Sequence, residues 1–273
     1  MKSDDTDKQK HYQERVKAYQ EKIQGLIKIE ADTLEECRKN SSSSALKLFH
    51  LANEMLNMTS HYIVISGISR SVLNKRDDVA LNEARKTVFK ALIYLENVVT
   101  GKIDAAFSEY EENLKEIESV GIAERYGLVV KIGFTISLLK NAYGDNTKWK
   151  WSFVDIEGRY AVVVKNLFDV KTFYGNLSAA SPDYNLSASY LELLEHFLHQ
   201  TADRYRERFE IATQRVEDLL SAINLLRALH RIYVATNKRD EAEEIKRKHM
   251  RLEAEFELAS KKEKEKSAQR DAQ

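Results

Sequence analysis

An all-α fold is what this sequence predicts, and three observations predict it. Proline occurs once in 273 residues, at Pro182, where average usage would give roughly a dozen. Proline removes a helical donor and clashes with the preceding turn, so its scarcity permits very long helices. No Asn-Gly or Asp-Gly hairpin turn and no series of alternating β-branched runs marks a strand. Apolar residues recur instead at spacings of 3 and 4, the period of a helix face.

The first predicted helix runs from about Asp5 to Arg38. Tyr12, Val16, Tyr19, Ile23 and Leu26 form a heptad seam. The apolar series then moves to Ile27, Ala31 and Leu34, a four-residue stutter. Ser41 to Ser44 ends this helix and offers an N-cap to the second, about Ala45 to Leu73, which is apolar around much of its circumference. Asp77 or Asp78 caps a third, about Val79 to Val99. A turn at Thr100-Gly101-Lys102 leads into a fourth, about Ile103 to Val120, and a fifth covers about Ile122 to Tyr143 before Gly144-Asp145-Asn146 stops the chain. A sixth begins near Ser152 and reaches Tyr174 or Ala179.

Ser181-Pro182-Asp183 reads as a hinge. Beyond it a seventh helix is expected to run unbroken from about Leu186 to Ala235, about 75 Å at 1.5 Å per residue. Only Tyr205, Phe209 and Ile211 are large and apolar between Gln200 and Arg215, so that stretch is expected to bridge two packed ends. An eighth helix from Asp240 answers the seam of the seventh with Ala242, Ile245, His249, Leu252, Phe256 and Ala259, as in an antiparallel hairpin. The expected organisation is an elongated protein with long, coiled-coil-like antiparallel helices. Residues 1–40 form a heptad helix packed on a rod, 41–180 a helix-rich lobe, 181–184 the hinge, 185–260 the rod itself and 261–273 a frayed polar tail.

Composition narrows function by exclusion. Lys and Arg number 43, as do Asp and Glu, so the concentrated positive charge of a nucleic-acid binder is missing. No stretch of 18 apolar residues suggests a transmembrane helix. One cysteine, Cys37, allows neither an internal disulfide nor a cysteine-based zinc site. The polar start MKSDDTDKQK suits a cytoplasmic chain and equally an exported, periplasmic one whose leader has been removed. There is no P-loop, no Gly-x-Gly-x-x-Gly and no Gly-x-Ser-x-Gly.

The expectation is therefore a non-enzymatic structural or scaffold protein without cofactor or metal, which binds other proteins or self-associates. Trp149 and Trp151 lie in a polar connection between helices, and Tyr184 beside the proline hinge. These three are the candidate partner-binding residues, since exposed aromatics are favoured at interface hot spots. The structural alternative is that both indoles plug the end of the lobe. Two other functions compete. His196 and His199 with Glu192, Glu195 and Asp203 could serve a helical-bundle metal protein or enzyme, although the Glu-x-x-His motif of di-iron bundles is missing. A membrane-curvature adaptor would need a more basic and more apolar face than the balanced C-terminal segment offers.

Long helices, elongated lobes, the heptads of the first and last two helices and 13 tyrosines give a character that resembles the helical proteins of spirochaete flagellar sheaths. The resemblance lies in overall character and in no motif, so no functional residue is transferred. It implies a non-enzymatic periplasmic filament component.

Overall fold

The structure, a computed structural model, describes residues 2–40, 43–144, 149–178 and 180–271. Ten α-helices are found among them: α1 (Lys2–Lys39), α2 (Ser44–Leu73), α3 (Asp78–Val98), α4 (Phe107–Lys115), α5 (Ile122–Tyr143), α6 (Lys150–Leu167), α7 (Val170–Gly175), α8 (Tyr184–Arg208), α9 (Val216–Ala235) and α10 (Arg239–Asp271). No strand occurs among the described residues, and the fold is all-α. The expected roles of Ser41, Ser42, Asp145, Asn146, Thr147, Lys148 and Ala179 fall outside the described residues. The chain divides into two compact units: Met1–Gly101 with Tyr110–Val163, and Lys102–Glu109 with Val164–Gln273.

In the first unit α1 packs along α2, α2 packs on α3, and both α2 and α3 pack on α5. This corrects the expectation that the N-terminal helix belongs with the C-terminal ones. The broad apolar cover of α2 supplies one surface for α1 and others for α3 and α5. The α1 seam also differs from its expected course. Ile27 is 40% exposed, whereas Glu30 is buried, so the series 12, 16, 23, 26, 30 continues the heptad without a stutter. Hydrophobicity alone misreads this position because the Glu30 carboxylate is satisfied inside. Tyr94 Oη donates to it at 2.5 Å and Lys90 Nζ at 2.9 Å. The Asp77 carboxylate accepts from Ala80 N and caps α3.

The two helices expected over 103–120 and 152–179 are both shorter. Residues 102–106 are held away from helical geometry by side chains of the second unit. Lys165 Nζ donates to Ala105 O at 2.5 Å, Asn166 Nδ2 to Lys102 O at 3.2 Å, and Arg231 pairs with Asp104 at 2.5 Å. The sixth expected helix stops at Leu167. Asp169 accepts from Lys171 N and Thr172 N and so starts the separate α7.

The unbroken 50-residue helix is absent. After Arg208 the chain makes a π-helical turn over Phe209–Thr213, and Gln214 adopts φ 51°. It then reverses, so that α9 packs back on α8. A buried ion pair between Arg208 and Asp218 closes this corner, and Thr213 Oγ1 donates to Asp218 Oδ2 at 2.5 Å. The sparse apolar content of 200–215 thus marks a reversal and not a bridge. Asn237, at φ 58°, turns the chain again into α10, which packs along α9 with Arg227 paired to Glu253. The core of this three-helix bundle includes Leu194 and Leu198 from α8, Ile223 and Leu226 from α9, and Ile245 and Leu252 from α10. α10 stays helical through the expected frayed tail to Asp271, because its Lys, Glu, Ala and Gln residues are good helix formers.

Candidate functional site

The end of α7, the turn at Leu177 and the first turns of α8 line a cleft in the second unit. Asn176 follows the last turn of α7, and its amide joins two serines. Ser181 Oγ donates to Asn176 Oδ1 at 3.1 Å, and Asn176 Nδ2 donates to Ser187 Oγ at 3.0 Å. These bonds tie the end of α7 to the start of α8, beside a cleft of about 380 Å³. Phe173 and Leu191 are buried in its lining, whereas Leu177 and Tyr184 are 48% and 40% exposed. Glu192, Glu195 and Lys238 complete the polar side. Lys238 Nζ neutralises Glu195 through contacts of 2.6 and 2.8 Å. Tyr184, expected at a binding surface, is thus placed in the wall of a cleft.

A more open groove of about 570 Å³ continues along α8 and shares Glu192 and Glu195 with the cleft. His196, His199 and Asp203 line it. His199 Nδ1 lies 3.2 Å from Asp203 Oδ2, and Lys248 Nζ lies 3.2 Å from His199 Nε2 and 2.8 Å from Asp203 Oδ1. An ammonium has no acceptor, so His199 Nε2 accepts and the Nδ1 proton goes to Asp203. Both the imidazole lone pair and the carboxylate are then occupied by lysine. Among the described residues no three His, Cys, Asp or Glu side chains are grouped to hold a metal ion. His199 and Asp203 are thus engaged with Lys248 in this arrangement.

Residues 8–258 match the family model of the TP0443 family. The chain belongs to the TP0443 family. Membership fits a spirochaete protein. Neither a curated protein nor a solved structure matches the chain.

In this member of the TP0443 family both tryptophans are half-buried in the first unit. Trp149 leans on Tyr143 with ring centroids 5.9 Å apart, and the Arg85 guanidinium lies 4.8 Å from its ring. Lys150 Nζ lies 4.6 Å from the Trp151 ring. Cation–π contacts of this kind contribute about 0.5–1 kcal/mol at exposed sites. The indoles are neither sealed in the core nor fully wet, so each retains a face that solvent reaches.

Sequence inspection of this TP0443-family chain missed Leu177, Ser187 and Lys238 as cleft residues. Ser187 could have been found. It lies on the same face of α8 as Leu191, Leu194 and Leu198, where a lone hydroxyl among apolar residues signals a polar partner. Leu177 and Lys238 carry no such signal, because they reach the cleft through the two loops that approach α8.

Proposed function

We propose that this protein is a non-enzymatic scaffold that binds other proteins through exposed apolar and aromatic side chains. One observation carries the proposal. Leu177 and Tyr184 stand at the mouth of an apolar cleft while remaining substantially in water. Exposed apolar side chains grouped around a cleft suit an interaction surface. The half-buried Trp149 and Trp151 supply a second such surface in the first unit, suited to a hot-spot role. A finer form of the proposal places the chain in a filament or sheath assembly, and cofractionation with purified filaments tests it. The general proposal is tested by affinity purification from the native organism. The wild-type chain is compared with a Leu177→Asp/Tyr184→Ala variant and with Trp149→Ala/Trp151→Ala. A partner held by the wild type and lost from at least one variant of unchanged helix content is expected. Enrichment of nothing over a bait-free control, or of the same proteins with all baits, defeats the proposal.

A further inference from the structure

The cleft lined by Leu177, Tyr184 and Ser187 has more chemistry than an apolar depression. Ser187 is 2% exposed and lies in its lining. Its Oγ accepts from Asn176 Nδ2, and Ser181 holds the other end of that amide. The Ser187 hydroxyl proton therefore has no acceptor among the described residues. A buried hydroxyl that keeps an unused donor beside a cavity is set for an acceptor from outside, since leaving it unmade costs free energy. Two carboxylates share the cleft, and they differ. Glu195 is neutralised by Lys238, whereas Glu192 is exposed and makes no hydrogen bond or ion pair among the described residues. The cleft thus combines apolar walls, a buried serine hydroxyl in its lining and one free negative charge at its rim.

We infer that this cleft docks a short peptide segment of a partner protein, one that inserts a large apolar side chain between Leu177 and Tyr184 and presents an adjacent lysine or arginine to Glu192. The assignment rests on the scaffold proposal above and names the chemistry of the partner. The cavity volume suits an aromatic or leucyl side chain together with part of its backbone. A peptide carbonyl supplies the acceptor that Ser187 lacks. An anionic peptide is disfavoured, because it would face Glu192 and meet a lysine already paired with Glu195.

The test uses the full chain and fluorescein-labelled peptides capped at both ends. The probe is Ser-Lys-Phe-Lys-Ser, with Ser-Glu-Phe-Glu-Ser and Ser-Lys-Ala-Lys-Ser as controls, read by fluorescence polarisation. Saturable binding of the probe is expected, with each control weaker by about tenfold or more. Glu192→Gln should weaken the probe on the order of threefold and flatten its salt dependence. Glu192→Lys should reverse the preference between the lysine and glutamate peptides. Both variants alter an exposed residue, and circular dichroism verifies their folding. Leu177→Asp, also at an exposed position, should abolish binding. The inference is overturned if the probe does not saturate, if Glu192→Lys leaves the peptide preference unchanged, or if phenethylamine displaces the probe at equal concentration, which would make this a small-molecule pocket. The scaffold proposal fails separately. A native partner that still binds the Glu192→Lys and Leu177→Asp variants leaves that proposal standing and removes this one.

Discussion

The amine of Lys165 donates to Ala105 O from a side chain that is 3% exposed. Burial holds its pKa down to about 7. The nearby Arg231 guanidinium adds to the depression, while Asp104 and Glu109 oppose it. The folded-state pKa therefore lies below the unfolded value of 10.5, and between them the unfolded chain binds the extra proton. Stability must rise with pH across that window, and this group contributes no slope well below pH 7. Between pH 7 and 9 the contribution reaches at most about 1.4 kcal/mol per pH unit. Urea unfolding of the wild type and Lys165→Met at several pH values should show the wild type gaining on the variant across this interval. A constant difference would mean that the amine stays charged. The residue was illegible in sequence. A lysine following three valines reads as a solvated break in an apolar run. Only the nearly complete burial of α6 from Tyr160 to Leu167 turns it inward.

At the scale of elements, the reversal between α8 and α9 departs furthest from the sequence expectation, and its causes explain why. Chain reversals are usually announced by glycine or proline. Here the left-handed position is Gln214, a residue type that rarely adopts positive φ. Gln214→Gly should stabilise the protein by up to about 1 kcal/mol, read as a raised melting temperature. A fall would show that the side chain contributes contacts outweighing the strain. The corner also depends on a buried pair. Asp218→Ala leaves the Arg208 guanidinium buried without its counter-charge and should cost about 3–5 kcal/mol in chemical denaturation. The exposed neighbour, Glu217→Ala, should change stability by less than about 0.5 kcal/mol. Comparable effects at both sites would place the Arg208–Asp218 pair in solvent. What periodicity did convey was the existence of helices and the α9 and α10 seams, where long apolar repeats leave little freedom. It also conveyed the pairing of α9 with α10, but not that α1 packs on α2. Glu30 shows the reason: an acid enters the α1 seam once Tyr94 and Lys90 approach from a helix some sixty residues away. The candidate cleft was legible in part, through Tyr184, Glu192 and Glu195 on α8, whereas Leu177 and Lys238 enter it from loops whose path the sequence does not encode locally.

For the whole molecule, the all-α class followed from proline scarcity, missing strand signals and helical spacing, whereas the division into two units did not. A boundary drawn at the proline hinge would separate Lys165, Asn166 and Phe173 from the bundle beyond it, yet all belong to the second unit. That unit also takes in Lys102–Glu109, which lies in sequence between the two segments of the first. The consequence concerns how a gene encoding this protein can be cut. An open reading frame starting at codon 164 would encode α7 to α10 but omit the partners of three anchoring side chains. The Lys165 amine would have no Ala105 carbonyl, Asn166 no Lys102 carbonyl and Arg231 no Asp104. The fragment Val164–Gln273 should consequently melt below the intact protein by circular dichroism, with Lys165→Met in the fragment recovering part of the loss at neutral pH. An unaltered melt would mean that the octapeptide is dispensable. Recombination that shuffles modules at ordinary linkers could not transplant this half by a single crossover; its inheritance requires the interior octapeptide to travel with it.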